Sequence, residues 1–371
     1  MLNKVDALYV HVPFCSNICN YCNFTKFLYQ EDIVNSYLIS LEKELSFYDK
    51  NKYSTIYIGG GTPTSLNFFQ LNKLLEIINK FKNNNEDFEF TMETNPENLT
   101  FEKISLLKKH GVNRISIGVQ TSNDKMLKIL NRCHKTIDVI HGIERLKKVG
   151  INNISIDIMF GLPHQKKEDL LKDLDFFLKL DIPHISFYPL VVEDNTIFKI
   201  NKVKALSDEK IYEMYNLINK KLSNNGYYRY EVSNFCKKGM ESKHNMKYWN
   251  DDYYVGIGPG AHGYVDGVRY ANSSSITNYI KGEFIKEEKL ISKNEQEFEY
   301  IMLRLRLKEG IILKDYLSKF GIDFCDKYSS EIEKLKKDGY LEESLESIYV
   351  SEKGIYLLNH IIATLTMNLN Y

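Results

Sequence analysis

The chain has no excess of charge of either sign: lysine plus arginine and aspartate plus glutamate number 49 each in 371 residues. It therefore lacks the broad basic field that nucleic-acid binders use, and no nucleic-acid partner is expected. It also lacks any apolar run near the ~20 residues that a membrane-spanning helix needs. The apolar stretch at 355–365 is broken by Asn359 and His360 and reads as a terminal amphipathic helix. Residues 1–6 lead almost at once into a strand-like run, which leaves no room for a signal or transit peptide. Cysteine is scarce, with three of the six in one short cluster and the others, Cys133, Cys236 and Cys325, scattered. That is no paired disulfide framework, and it suits a reducing cytoplasm. The three scattered cysteines read as buried small apolar residues, Cys133 being also a conceivable soft ligand. Cytoplasmic location without a transmembrane segment is the expectation. Peripheral membrane contact and oligomeric state are left open.

A hydrophobic content of 43% with 26% charged residues is ordinary for a globular chain, and the length suits one barrel-sized domain plus a smaller one. Strand-like runs at 8–12, 55–59, 88–93, 114–117, 153–158 and 184–188 alternate with amphipathic helical stretches at 33–47, 71–81, 101–110, 137–148 and 170–179. Such alternation predicts right-handed βαβ units and a parallel sheet. Active residues should then gather at the C-terminal strand ends, whether the sheet closes or not.

The first strand is followed by Cys15-Ser16-Asn17-Ile18-Cys19-Asn20-Tyr21-Cys22. Three thiolates there can hold a [4Fe–4S] cluster with one iron open, or, together with His11, a Cys3His zinc site. The later strand ends carry Gly59-Gly60-Gly61-Thr62, then Glu93, then Gln120 and Arg132, then Asp157. Each alone could be a cap or a solvated loop residue. Together they offer an arginine for a carboxylate, and carboxylates and an amide for an amine and hydroxyls, as an amino acid bearing a ribose would require.

The runs Tyr9-Val10-His11-Val12-Pro13-Phe14-Cys15, Gly59-Gly60-Gly61-Thr62-Pro63-Thr64, Ser116-Ile117-Gly118-Val119-Gln120 and Asp157-Ile158-Met159-Phe160-Gly161-Leu162-Pro163 resemble the radical S-adenosylmethionine (SAM) family of oxygen-independent coproporphyrinogen III dehydrogenases and their relatives. The resemblance covers roughly residues 5–270 and implies an α/β fold, a partial (β/α)6 radical-SAM barrel. It implies that Cys15, Cys19 and Cys22 hold the cluster, with SAM at the open iron. It implies SAM contacts at Tyr9, Gly60, Gly61, Thr62, Glu93, Gln120, Arg132 and Asp157, shared between one or two SAM molecules.

Within that family this chain is most similar to a branch of heme chaperones. Phe24 stands where the decarboxylases carry a further cysteine, and the chain starts only eight residues before Tyr9. Tyr230-Glu231-Val232-Ser233-Asn234, His244-Asn245-Met246-Lys247-Tyr248-Trp249 and Gly256-Ile257-Gly258-Pro259-Gly260-Ala261-His262 resemble signatures of the same branch, with Pro259 a departure. On a helix His244 and Tyr248 would share a face. His244 is then a candidate axial heme ligand, with Tyr248 and Trp249 as porphyrin walls; core packing is the competing reading of all three. The expected organisation is a core barrel over 1–230, a connecting segment over 231–290 and a winged-helix-like helical domain over 291–371, the last a lid or docking surface. The implied function is binding of heme and its delivery to acceptor hemoproteins such as respiratory heme enzymes, with no catalytic residue assigned. The alternative is radical oxidative decarboxylation of coproporphyrinogen III propionates.

Overall fold

The computed structural model describes residues 5–48, 51–83 and 85–369. Six strands form the centre of one sheet: β1 (Ala7–Val12), β2 (Thr55–Gly60), β3 (Glu89–Thr94), β4 (Arg114–Gln120), β5 (Asn153–Phe160) and β6 (His184–Pro189). All five neighbouring pairs, taken in chain order, are parallel. Their side chains are buried almost throughout, as in Leu8, Val10 and Val12 of β1, which is why they read as near-continuous apolar runs.

The crossovers are helical. Helix α1 (Glu31–Ser46) buries Val34, Tyr37, Leu38, Leu41 and Leu45 along one stripe. Helix α2 (Phe68–Asn79) begins where the Asn67 side chain accepts from the Gln70 amide, and α3 (Phe101–Lys109) where Thr100 accepts from Lys103. The sequence pattern did not disclose the short α4 (Asp124–Ile129); α5 (Thr136–Val149) follows and stops at Gly150 with φ +84°. Helices α6 (Lys167–Lys179) and α7 (Asp208–Ser223) complete the set around the barrel.

The sheet is larger than the sequence pattern indicates. After β7 (Tyr228–Arg229) come β8 (Asn234–Cys236), helix α8 (Lys243–Trp249), and β9 (Tyr254–Ile257), β10 (His262–Val265), β11 (Val268–Asn272) and β12 (Ile285–Leu290). The order across the sheet is β12-β11-β10-β9-β1-β2-β3-β4-β5-β6-β8-β7. Strands β1 and β6 never pair, so the barrel is partial and open. Residues 231–290, expected as a connecting segment, thus supply strands to both ends of the sheet. Strands of two to six residues, several of them polar, show too little alternation to be read from sequence.

The C-terminal region has its own core, in which Tyr316, Phe324, Leu335, Ile348 and Ile361 pack together. Its helices Lys293–Arg304, Leu313–Phe320, Ser329–Lys337 and Leu358–Thr366 surround a small antiparallel sheet of Ile311–Ile312, Ser347–Val350 and Leu341–Glu343. Helices with a β-wing are the winged-helix-like arrangement anticipated.

Candidate cofactor site at the strand ends

The cysteine loop leaves β1 at Pro13 and is pinned at its neck. Phe14–Cys15 pairs in parallel with Phe27–Leu28, and the Tyr29 amide donates to the Cys15 carbonyl at 2.9 Å. Its far side is clamped to the end of α4. Asn17 Nδ2 donates to Asn131 O at 2.6 Å, and the Asn20 amide and side chain donate to the Leu130 and Ile129 carbonyls at 3.1 and 2.8 Å. The loop is therefore a preformed cup rather than a free strand of chain.

All three clustered cysteines line one cavity of about 490 Å³, together with Gly60, Gly61, Thr62, Glu93, Gln120, Arg132 and Asp157. The glycine run serves close approach on three sides. A Cβ at Gly59 would lie 2.7 Å from the Glu93 carboxyl carbon, at Gly60 2.7 Å from the His11 ring, and at Gly61 2.7 Å from the Phe14 carbonyl oxygen. Gly60, at φ +114°, also needs the left-handed region.

Glu93 is held by the Tyr57 hydroxyl, which donates to Oε1 at 2.7 Å, and by the Gly60 amide, which donates to Oε2 at 3.0 Å. Burial raises its pKa to about 7, the Tyr57 bond opposing. Asp157 accepts from Ser116 Oγ at 3.0 Å and is likewise raised by burial. Gln120 has φ +71° and ends a bulge in the β4–β5 pairing, a device that re-aims a side chain next to a site.

Arg132 spans the cavity wall. Its Nη1 donates to Cys19 Sγ at 3.3 Å, and its Nη2 to Asn95 Oδ1 at 2.7 Å and Gly118 O at 2.5 Å. Its Nε is buried with no partner among the described residues. Beside it, burial pushes the Cys15 thiol up to about 11 and raises Cys22. Cys15 and Cys22 are thus held as neutral thiols, which iron binding would deprotonate.

His11 is removed from the zinc alternative. Its Nε2 donates to Thr25 O at 2.9 Å, and its Nδ1 shares a 2.9 Å bond with the Tyr9 hydroxyl, so neither nitrogen is open to a metal. Among the described residues no three His, Cys, Asp or Glu side chains gather as a single ion requires. Thiols spread around one cavity suit a cluster, whose irons are ligated separately.

Tyr9 lines the adjoining pocket with His11 and Phe24, and Phe24 is common to both cavities. Three assignments need correction. His244 is fully buried, its Nδ1 paired with the Thr55 hydroxyl at 2.9 Å and its Nε2 with the Tyr248 hydroxyl at 2.8 Å. Burial lowers its pKa to about 3, so it is a neutral structural histidine with no lone pair for iron. Trp249 lines neither cavity, and only Tyr248 of that aromatic pair does. Finally, Cys133 is exposed and Cys325 half-buried, while Cys236 is buried as anticipated.

Among the cavity residues that sequence reasoning passed over are Arg114 and Asn245. Arg114, at the start of β4, is 2% exposed, lines the cavity and carries an unpartnered Nε. A charged residue opening an otherwise apolar strand was the available signal, since burial demands counter-charges, and Glu89 and Asp157 provide them. Asn245 also lines the cavity, one position from His244. Helix α8 is seated by Glu89, whose carboxylate accepts from the Lys243 and His244 amides at 3.0 and 2.9 Å, in keeping with an acid at a helix N-terminus.

An open β/α sheet with a three-cysteine cup and an acid–amide–arginine rim at its strand ends is the site of a radical-SAM-type protein. The Radical SAM superfamily model matches residues 9–177, and the HemN C-terminal domain model matches residues 291–357. The heme chaperone HemW of Lactococcus lactis is 40% identical, covering 97% of this chain and 97% of its own length. The heme chaperone HemW of Bacillus subtilis is 38% identical over 96% of this chain and 98% of its own, and that of Escherichia coli 30% over 96% and 97%. The solved coproporphyrinogen III oxidase (HemN) of Escherichia coli superposes with a TM-score of 0.87, covering 99% of this chain and 91% of that one at 21% identity, which establishes the shared fold. The chain belongs to the HemW family of the radical SAM superfamily. A [4Fe–4S] cluster and SAM are the cofactors of that superfamily, and the unpartnered Arg132 and Arg114 nitrogens with the thiol cup fit them.

Proposed function

We propose that this chain is a heme chaperone that binds heme and passes it to acceptor hemoproteins, respiratory heme enzymes among them. Full-length likeness to relatives named as heme chaperones, at up to 40% identity, carries this reading. Cys15, Cys19 and Cys22 would ligate the cluster, leaving one iron for SAM, while Arg132 would serve the SAM carboxylate and Glu93, Gln120 and Asp157 its amine and hydroxyls. Gly60, Gly61 and Thr62 let the backbone lie close to that ligand. When bound, the cluster and SAM would supply one-electron chemistry. The chain's own part is to hold the cup closed through Asn17 and Asn20, to present Arg132, and to keep the Glu93 carboxyl in a dry wall. No helix among the described residues is long and apolar enough to cross a membrane. We place the protein in the cytoplasm, and organise it as a barrel with its flanking strands and a separate docking domain from about residue 291, with no nucleic-acid role.

The test is an anaerobic heme titration of the cluster-reconstituted protein, followed by transfer to an apo-acceptor. Saturable binding near one heme per chain with transfer supports the reading, and absence of binding overturns it.

The complete rim around the cysteine cup also favours a second capability, radical decarboxylation of coproporphyrinogen III. Anaerobic incubation with coproporphyrinogen, SAM and reductant decides it: rapid formation of protoporphyrinogen would make this an enzyme.

A further inference from the structure

Two segments brace the cysteine loop from outside the sheet. One is α4 with the residues after it, which take the Asn17 and Asn20 side chains; the other holds the short helix Ile197–Ile200. The Phe198 amide donates to the Asn20 carbonyl at 2.9 Å, and Asn131 Nδ2 to the Ile18 carbonyl at 2.7 Å. Beneath them Leu130, Leu162, Leu190 and Phe198 form a small core of their own, against which Tyr21 of the loop packs. The loop, α4 and the short helix therefore share one core and one surface.

That surface is unlike the rest of a chain whose charges balance. Lys125, Lys128, Lys199, Lys202 and Lys204 are all exposed on it. Lys199 pairs with Asp194 at 3.0 Å, and the other four form no ion pair among the described residues. Asp124 is occupied in capping, accepting from the Thr136 amide at 2.8 Å, which leaves Glu193 at the wall of the cofactor cavity. Interleaved with the lysines in sequence are Ile129, Ile197 and Ile200, which are 46%, 43% and 69% exposed. Uncompensated lysines around exposed isoleucines suit an acidic protein surface: charge steers the encounter and apolar contact holds it.

We propose that this face docks an acidic one-electron carrier protein that reduces the cluster through the cysteine loop, an inference resting on the cluster assignment made above. One-electron chemistry at such a site requires a donor, and the donor is best received where the ligand thiols come nearest the surface. Cys19 and Cys22 are only half-buried, and the backbone on either side of Cys19, at Ile18 and Asn20, is bonded directly to the two bracing segments. One electron leaves the carrier's reduced centre, which is oxidised, and enters the cluster, which is reduced; no bond is made or broken and no proton moves. The face is built on the thiol loop, and that favours an electron carrier over a heme acceptor as its occupant.

The experiment is anaerobic stopped-flow mixing of the cluster-reconstituted full chain with an acidic flavodoxin reduced to its hydroquinone, following semiquinone formation and loss of cluster absorbance. The wild-type second-order rate should fall steeply with salt. The triple change Lys128→Glu, Lys202→Glu and Lys204→Glu should slow it about tenfold or more at low ionic strength. Cluster content and reduction by dithionite should stay unchanged. Ile200→Ser should slow the reaction several-fold with its salt dependence kept. An equal charge reversal on the C-terminal domain, Lys314→Glu, Lys334→Glu and Lys337→Glu, should slow it far less. A face variant as fast as wild type, or no slower than the C-terminal variant, overturns the proposal. So does a wild-type chain that dithionite reduces and flavodoxin does not, or a face variant that loses only heme transfer to an apo-acceptor; in each case the cluster assignment stands. Failure to form any cluster would overturn that assignment as well.

Discussion

Two cavities meet at Phe24 and differ in almost every physical respect. One is lined by thiols, carboxylates and arginines held at the C-terminal ends of parallel strands. The other is lined by tyrosines, a phenylalanine and histidines from β1, the end of the cysteine loop, α8 and the added strands. The first can fix a charged cofactor and neutralise a cluster; the second offers aromatic faces. Two histidines of the C-terminal motifs differ as sharply. His244 is buried with both nitrogens bonded, whereas His262 is exposed with neither bonded among the described residues. A histidine in a signature motif is therefore no ligand until its own hydrogen bonds are known.

This contrast can be broken most severely at the cup. Cys19→Ala should reduce cluster iron and sulfide to background after anaerobic reconstitution, measured by iron analysis, while leaving the aromatic pocket's walls intact. Arg132→Ala should next weaken SAM binding by about 10–100-fold in calorimetry, the loss of charge-assisted hydrogen bonds being worth ~1.5–3 kcal/mol. Arg132→Lys should not rescue it fully, because a point charge cannot replace the guanidinium fork.

A smaller effect separates structure from ligation. His244→Gln should cost about 1–3 kcal/mol by disturbing the buried Thr55 and Tyr248 hydroxyls. For a chain of this size that lowers the melting temperature by roughly 1–2 °C per kcal/mol. Heme affinity and the iron's ligand spectrum should both be kept, because both His244 nitrogens are already bonded. Loss of that spectrum would return His244 to the iron.

The smallest expected effects are in pH. Glu93 has a folded pKa near 7, above the ordinary carboxyl value, so its contribution is fully favourable only below that ordinary value and is lost as pH rises through about 7. Glu93→Gln should therefore raise the urea midpoint of the apoprotein more at pH 8 than at pH 5. For His244, lowered to about 3, the sign is opposite: its stability is full above the ordinary imidazole value and drains as pH falls toward 3. A midpoint difference between His244→Gln and wild type that narrows between pH 7 and pH 5 checks it.

Much of the barrel was legible before any coordinates. The six core strands are buried on both faces, so their composition alone marks them, and the helices between them repeat every three or four residues. The strands at 254–290 were not, because exposed edge strands such as Ile285–Leu290 have no apolar face to betray them. Arg114 was hidden for a related reason. Its counter-charges, Glu89 and Asp157, stand on neighbouring strands rather than near it in sequence.

By itself the sequence determined the chemistry: three thiols in one loop, a glycine run, and acid, amide and arginine at successive strand ends, because each of these depends on residue type and local spacing. Only the tertiary structure decided where side chains point. The Thr55–His244 hydrogen bond closes across 189 positions and takes His244 out of ligation. The packing of Gly258 against His11 of β1 and of Gly260 against Thr25 stands His262 beside an aromatic pocket. Direction is set by partners that the fold brings from afar, and no local pattern records them.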